Sequence, residues 1–435
     1  MNFNRSKKLQ KKSHYLIPGG CHTYAKGDDQ YPVNAPGFIV RGKGCRIWDP
    51  DGNEFIEYGM GLRSVTLGHA YEPVVEAARS QMQLGNNFNR PSVLEIQCAE
   101  EMLSLVPGAD MIKFAKNGSD ATTAAVKLAR AYTGQDLVAV CSDQPFFSVD
   151  DWFIGTTPMS AGIPEAIKNL SVTFKYNDIS SLETVFENNP GKIACVIMEA
   201  ATAVMPEQGF LQKVKNSCQQ NGALLVLDEM ITGFRWDLGG AQTFYDVKPD
   251  LSVFGKGMGN GFSVAALMGK REIMELGGLD HDRERVFLLS TTHGAEGLSL
   301  AAALETISIF KKEDVVQHLK DAGASLKTGI DKTIEELKLK DFFQVIGMPS
   351  NLIYITRDHD GNPSQEFRTL FLQETIKRGI LAPSFVVSYS HGQEDVEKTI
   401  DVVAQSLLVY RKAIDEGVGK HLVGRPVQPV MRKYN

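Results

Sequence analysis

The chain has 435 residues, 43% of them hydrophobic and 23% charged, with a net charge of −6. That length allows two domains, or one large domain with an appendage, and the small acidic excess gives no electrostatic case for nucleic acid or an anionic membrane. No apolar run reaches the roughly 18 residues of a membrane helix, and the charged N-terminus lacks the apolar stretch of a secretory signal.

Along the chain, Arg5, Lys7, Lys8, Lys11 and Lys12 come first, a basic cluster expected to be a solvated arm. "CRIWDPDGNEFIEYG" (45–59) sets two strand-like runs around Asp49-Pro50-Asp51-Gly52-Asn53. This is a hairpin turn in which proline presets φ and Gly52 accepts a positive one. In "PSVLEIQCAEEMLSLVPG" (91–108), Val93, Ile96, Ala99 and Leu103 recur at helical spacing before a stop at Pro107-Gly108. The six cysteines show no CxxC spacing. Cys141, Cys195 and Cys218 lie in or beside apolar segments and read as buried thiols, which fits a reducing cytoplasm.

From about 110 to 300 short β-rich runs alternate with helical periodicity: "MIKFAK", "LVAVC", "IACVIME", "ALLVLDE", "LSVFG" and "VFLLSTT". Apolar strands of this kind are buried on both faces, which predicts an α/β fold with a mostly parallel sheet flanked by helices. After about 320 the pattern becomes that of a smaller α+β domain with two long amphipathic helices, "EFRTLFLQETIKRGI" and "EDVEKTIDVVAQSLLVYRKAI". The second carries Val396, Ile400, Val403 and Leu407 on one stripe. The reading divides the chain into an N-terminal arm and hairpin segment (1–60), a large domain (61–320) and a C-terminal domain (321–435).

Ligands of such sheets bind at the carboxyl ends of the strands. That rule singles out Asn117-Gly118-Ser119-Asp120, Glu199, Asp228-Glu229, Lys256 and Thr291-Thr292. Asp228 ends an apolar strand, where a carboxylate is costly unless a cation or a proton donor meets it. It could be a helix cap, half of a structural ion pair, or the acid that holds a pyridinium nitrogen protonated. Lys256 ends the next apolar run, and Gly255, Gly257, Gly259 and Gly261 around it suggest close backbone approach. A carboxylate and an amine converging on neighbouring strand ends is what pyridoxal phosphate needs. "NGSDATTAAVKLARAYTG" supplies a helix N-terminus for a phosphate, with Gly118 permitting approach and Ser119 offering a hydroxyl and a cap. Phe146 could stack on a flat ring or pack in the core.

Taken in order, these segments resemble the class III aminotransferases of the fold-type-I pyridoxal-phosphate superfamily, most of all the glutamate-1-semialdehyde aminomutase-like branch. The resemblance runs from about Pro18 to Lys398. It rests on "GCRIWDPDGNEFIEYGMG", "TLGHAYEPV", "FAKNGSDATTAAVKLARAYTG", "LLVLDEMITGFR" followed by "GGAQ", and "PDLSVFGKGMGNGFSVAALMGKREIME". It implies that Lys256 is the Schiff-base lysine and proton shuttle, that Asp228 holds the pyridine nitrogen, and that Gly118 and Ser119 bind the phosphate. It further implies that Thr292 reaches the phosphate of a neighbouring subunit in a homodimer, that Phe146 takes the place of a stacking tyrosine, and that Glu199 lies near the cofactor.

The substrate side departs from the aminomutase pattern. "HTYAKGDDQYP" replaces an "NSPVRAF"-like segment, with Lys26 at the position of the arginine that grips a carboxylate. "FFSVDD" replaces "YHGHAD", "THGAEG" replaces "TLSGNP", and "APSFVVSYSHG" lacks the family's glutamate. His22, Tyr24, Lys26 and Arg63 are the candidates for substrate binding, each with a packing role as the alternative. The expected activity is amino transfer from glutamate to an aldehyde or ketone of a sugar-like acid. The branch found with bacterial envelope-polysaccharide enzymes points to 8-oxo-3-deoxy-manno-octulosonate. The aminomutase reaction and a non-catalytic cofactor-binding regulator are the alternatives. Residues 146–175, rich in Ser, Gly, Pro and Asp, are a candidate lid.

Overall fold

The computed structural model describes residues 1–434. Residues 1–71 and 317–432 form one compact unit, and residues 72–316 build a second. The first unit opens with strands β1 (Arg41–Lys43), β2 (Arg46–Trp48) and β3 (Glu54–Glu57). The second carries β4 (Met111–Ala115), β5 (Leu137–Cys141), β6 (Ser171–Phe174), β7 (Ile193–Met198), β8 (Leu224–Asp228), β9 (Leu251–Phe254) and β10 (Ala265–Gly269). The first unit closes with β11 (Phe343–Ile346), β12 (Ile353–Thr356) and β13 (Ile380–Leu381).

In the second unit the sheet order is β4-β10-β9-β8-β7-β5-β6. Strands β6, β5, β7, β8 and β9 run parallel, and β10 runs antiparallel to both β9 and β4. β4 therefore shares the direction of β5 to β9, and the carboxyl ends of β4, β5, β7, β8 and β9 lie on one edge of the sheet. Every residue of β7, β8 and β9 is buried, as unbroken apolar runs covered on both faces must be. The helix Gly118–Thr133 packs across β10, β9, β8 and β7. Half of its buried residues are alanine (Ala121, Ala124, Ala125, Ala129), and it ends at Gly134 with φ of 69°.

Three expectations for this unit change. "VFLLSTT" is not a strand: Val286 and Leu288 are buried, but the Val286 N–H donates to the Leu276 carbonyl, not to a neighbouring strand. Two further strands, β6 and β10, complete the sheet; the alanine-rich "AALMG" of β10 carries little strand propensity of its own. The helix Val93–Leu105 forms, closed by a Ser92/Glu95 capping box, yet Val93 and Ile96 are exposed and Cys98 and Met102 face inward. Of the expected stripe, Ala99 and Leu103 are half-buried and the other two residues face out.

In the first unit, β2 and β3 form the hairpin expected around Gly52, whose φ is 90°. β3 pairs in parallel with β13, so the segments 1–60 and 321–435 share a sheet. The basic cluster lies on a helix, Asn4–Leu16, and is not a loose arm. The Arg5 and Ser6 N–H groups each donate to the Asp51 carboxylate at 2.8 Å, while Lys7, Lys8, Lys11 and Lys12 stay exposed. The helix Gln393–Glu416 buries Val396, Val403 and Leu407 as its periodicity requires, with Ile400 half-buried.

One buried ion network explains "PDL". Asp250 precedes β9 and accepts from Lys215 and Lys270 Nζ at 2.6 Å each and from the Leu225 N–H at 2.9 Å. Burial pushes its pKa up, and these donors more than reverse that, leaving it below the ordinary carboxylate value. A depressed folded-state pKa adds stability above the unfolded value of 3.8 that is lost as pH falls through the lower folded value. Asp250→Asn strands the buried Lys215 and should cost about 3–5 kcal/mol at neutral pH, with less sensitivity to acid than the parent. Denaturant titrations at several pH values check this; parallel stability curves for the two proteins would refute it.

Candidate active site

The carboxyl edge of the seven-stranded sheet brings together most of the polar residues expected there. β8 and β9 are adjacent and parallel, with Asp228 paired in register to Val253. Strand neighbours lie about 4.8 Å apart, so Asp228 at the end of β8 and Lys256, two residues past β9, meet on that edge. Asp228 is 3% exposed. Burial raises its pKa to about 6, against the lowering effects of the Lys256 ammonium and of the Met230 N–H, which donates to Oδ1 at 2.9 Å. Lys256 itself has φ of 40°. A left-handed backbone costs a non-glycine residue about 1–2 kcal/mol, and such strain clusters where function demands a particular aim.

Two of the glycines beside Lys256 make room for side chains of the protein itself. A Cβ at Gly255 would lie 2.7 Å from Met230 Sδ, and one at Gly259 would lie 2.7 Å from Val264 Cγ1. A Cβ at Gly118 would meet the same Met230 sulfur at 2.9 Å. Met230 thus fills the space between the end of β9 and the start of the Gly118–Thr133 helix, and both glycines are needed to admit it.

That helix opens on this edge, with one correction to its cap. Its cap is Asn117, whose side chain accepts from the Asp120 N–H at 3.0 Å. Ser119 sits inside the first turn, and its Oγ accepts the Val149 N–H at 3.1 Å, which leaves the O–H to donate elsewhere. Glu199 follows β7 and is 6% exposed. Phe146, in the loop after β5, is half-exposed, its ring edge-on to Phe153 with centroids 5.7 Å apart. The loop is pinned along its length: Thr122 Oγ1 donates to the Phe147 carbonyl, and Thr123 bonds Ser148, Asp150 and the Trp152 indole. Over 147–152, the candidate lid is hydrogen-bonded to the Gly118–Thr133 helix.

Thr292 lies in an exposed turn and does not follow a strand. Glu296, just beyond it, binds Lys116 Nζ at 2.5 Å and Asn86 Nδ2 at 3.1 Å, which ties this turn to the end of β4. His22, Tyr24, Lys26 and Arg63 belong to the other unit. The first three are exposed around the turn Tyr24–Lys26. Arg63 ends a run of four positive-φ residues, Met60 to Arg63, and donates through Nε to Asn351 Oδ1 at 2.8 Å. Sequence reasoning does not find Gln144, Met230 or Glu296, because their roles rest on tertiary contacts with no local pattern.

The edge fits pyridoxal phosphate: a buried carboxylate beside an amine, a helix N-terminus with a hydroxyl still able to donate, and a half-exposed aromatic face. A fold of this type with such an edge defines the fold-type-I pyridoxal-phosphate enzymes. The sequence profile described as aminotransferase class-III matches residues 28–380, and the chain belongs to that family. It is 32% identical over 429 residues to the glutamate-1-semialdehyde 2,1-aminomutase of Sulfurihydrogenibium azorense, covering 92% of this chain and 98% of that one. The aminomutase of Archaeoglobus fulgidus is also 32% identical, over 432 residues, covering 94% and 100%. Among solved structures, the FumI protein of Sphingopyxis sp. MTA144, in its PLP internal aldimine form, superposes with a TM-score of 0.87 at 26% identity over 98% of this chain and 99% of that one. An omega-transaminase from Sphaerobacter thermophilus gives 0.84 at 25% identity over 93% and 98%. The chain is a pyridoxal-phosphate-dependent enzyme of fold type I.

In the cofactor-free protein a raised Asp228 pKa means that the protonated acid favours the fold. That contribution is complete below 3.8 and is lost as pH rises through about 6. Asp228→Asn should therefore flatten the decline of melting temperature over this window in the cofactor-free protein. Equal slopes for variant and parent would mean that the carboxyl is not desolvated.

Proposed function

We propose that this chain is an aminotransferase working in two half-reactions. It takes the amino group of glutamate and passes it to an aldehyde or ketone of a sugar-like acid. The acceptor we put first is 8-oxo-3-deoxy-manno-octulosonate, giving 8-amino-3,8-dideoxy-manno-octulosonate, a lipopolysaccharide sugar. The observation that carries the amino-transfer reading is the buried Asp228 carboxylate within electrostatic reach of Lys256 on adjacent strand ends.

Pyridoxal phosphate supplies an aldehyde that condenses with amines and a ring that accepts the electron pair released at the substrate α-carbon. The chain does the rest. Lys256 Nζ would hold the cofactor and carry the proton to and from the substrate carbon. Asp228 would keep the ring nitrogen protonated, and its burial beside a cation suits a short, strong contact. Gly118 and Ser119 would hold the phosphate at the helix N-terminus, Phe146 would cover a ring face, and Glu199 would lie near the ring. His22, Tyr24, Lys26 and Arg63 would bind the acceptor's carboxylate and hydroxyl groups. The strained backbone at Arg63 supports a functional aim for that side chain.

The cationic, hydrogen-bonding character of those four residues, in place of the aminomutase's substrate segments, supports a sugar acid. The likeness to an omega-transaminase supports transfer between molecules. The second reading is the glutamate-1-semialdehyde 2,1-aminomutase reaction, favoured by relatives at 32% identity that carry that name. Five buried free cysteines suit a reducing compartment such as the cytoplasm, and no helix among the described residues is long and apolar enough to cross a membrane.

The loaded protein should absorb visible light and bleach on mixing with glutamate, and an acceptor screen of oxidised sugar acids should then release 2-oxoglutarate. Lys256→Ala should lose turnover by orders of magnitude and keep its fold. No spectral response to any amino donor would end the amino-transfer reading, and robust 5-aminolevulinate formation would favour the aminomutase.

A homodimer, with Thr292 reaching the partner's phosphate, is part of this reading. Met82, Leu84, Phe88, Val93 and Ile96 are all more than half exposed, an apolar surface that calls for cover. Light scattering should give twice the chain mass of 47.8 kDa, and Ile96→Glu should reduce it. A monomer that turns over at full rate would remove Thr292 from the site.

A further inference from the structure

Two residues before Phe146, the side chain of Gln144 is 4% exposed. Its amide makes a reciprocal pair with the main chain of one residue: Nε2 donates to the Glu199 carbonyl and Oε1 accepts the Glu199 N–H, both at 2.8 Å. Gln144 belongs to the loop after β5 and Glu199 to the end of β7, its parallel neighbour in the sheet. One side chain therefore replaces the two main-chain bonds that the strands stop making at this point. Downstream, Ser119 Oγ holds the Val149 N–H and Thr122 Oγ1 holds the Phe147 carbonyl. Phe146 sits between these two sets of anchors.

We propose that Gln144 is a positioning residue for the cofactor: its two-point clasp on Glu199 fixes the Phe146 ring and the Glu199 carboxylate relative to each other. This rests on the reading of Phe146 as the platform for the cofactor ring. A neutral amide suits the task because it both donates and accepts. A glutamate at 144 accepts the Glu199 N–H but faces its carbonyl without a donor, and a leucine leaves both peptide groups buried and unpaired. The clasp spares the chemistry itself and acts on the posture of the ring, so its loss should register in cofactor binding before any substrate is added.

The test compares the parent with Gln144→Leu, Gln144→Glu and Phe146→Ala. It measures the pyridoxal phosphate dissociation constant by titration of the cofactor-free proteins, and the visible circular dichroism band of the bound cofactor. Gln144→Leu should weaken binding roughly tenfold or more, the equivalent of one to two net hydrogen bonds, and diminish the dichroic band. Gln144→Glu should fall between Gln144→Leu and the parent. Both variants should lower kcat with little change in the KM for glutamate. Parental affinity and dichroism in a folded Gln144→Leu protein overturn the proposal, even if its melting temperature drops, because the residue would then be purely structural. If Gln144→Leu does not fold, Gln144→Glu decides on the same two readouts. Parental values in Phe146→Ala overturn it at its premise, the ring platform, and separate that failure from a failure of the clasp.

Discussion

A carboxylate buried at the end of a strand is the constraint on which the rest of this molecule turns. Desolvating Asp228 costs several kcal/mol, and the protein offers it little in return: one main-chain hydrogen bond and the field of Lys256. The lysine that answers it adds strain of its own through a left-handed backbone. Two unfavourable features side by side, in an otherwise apolar sheet, make no sense as stabilising devices. They make sense if a third group completes them, since a protonated ring nitrogen would give the carboxylate its strongest partner.

The contrast with the next residue sharpens the point. Glu229 is fully buried, and burial raises its pKa to about 7. Its oxygens, however, accept from the Thr232 hydroxyl and from the Ala241 and Gln242 N–H groups, at 2.8 and 2.7 Å for the latter two. Gly240 makes room for this, since a Cβ there would lie 2.4 Å from the carboxylate. Successive residues of a strand point to opposite faces, so the Glu229 carboxylate closes a structural loop while the Asp228 carboxylate meets one N–H group and the field of Lys256. Degree of satisfaction, more than burial, separates the two. Asp250 falls with Glu229 by the same criterion: two ammonium groups and an N–H meet it.

Much of this edge was legible in the sequence, for a physical reason. A strand buried on both faces must be apolar throughout, so a polar residue at its end stands out, and parallel direction puts those ends together. Asp228, Lys256, Glu199 and the Asn117–Asp120 segment all yield to that logic. The logic fails where apolar character comes from something other than a strand. Residues 286–288 alternate buried and exposed side chains, residues 290–292 are all exposed, and the segment finds no strand to pair with, so Thr292 cannot be placed by it. It also fails where a role depends on distant partners. Nothing in "SDQPF" marks Gln144 as a clasp, and only Gly61 hints at the left-handed turn of Met60–Arg63. Helix capping shows a finer limit: Asn117 and Ser119 are both good caps by type, and the φ of the turn, not the residue, decides between them.

Met230 shows why the cofactor edge resists change. Its sulfur is pressed against Gly118 and Gly255 at once, so the start of the Gly118–Thr133 helix and the lysine loop share one filler, and neither glycine can gain a side chain without moving the other's support. The residues read as substrate-binding carry no such linkage to that filler. His22, Tyr24 and Lys26 stand exposed on a turn of the other unit, held from behind by the C-terminal segment, where Arg425 Nη2 donates to the Asp28 carbonyl at 2.6 Å and Gln428 N–H to the Asp29 carbonyl at 2.9 Å. Substitution at those exposed positions costs little packing, whereas substitution around Met230 costs a great deal. The segments that depart from the aminomutase pattern around residues 22–26 thus fall where packing constrains the chain least, and those that keep it around Gly118 and Gly255 fall where it constrains the chain most.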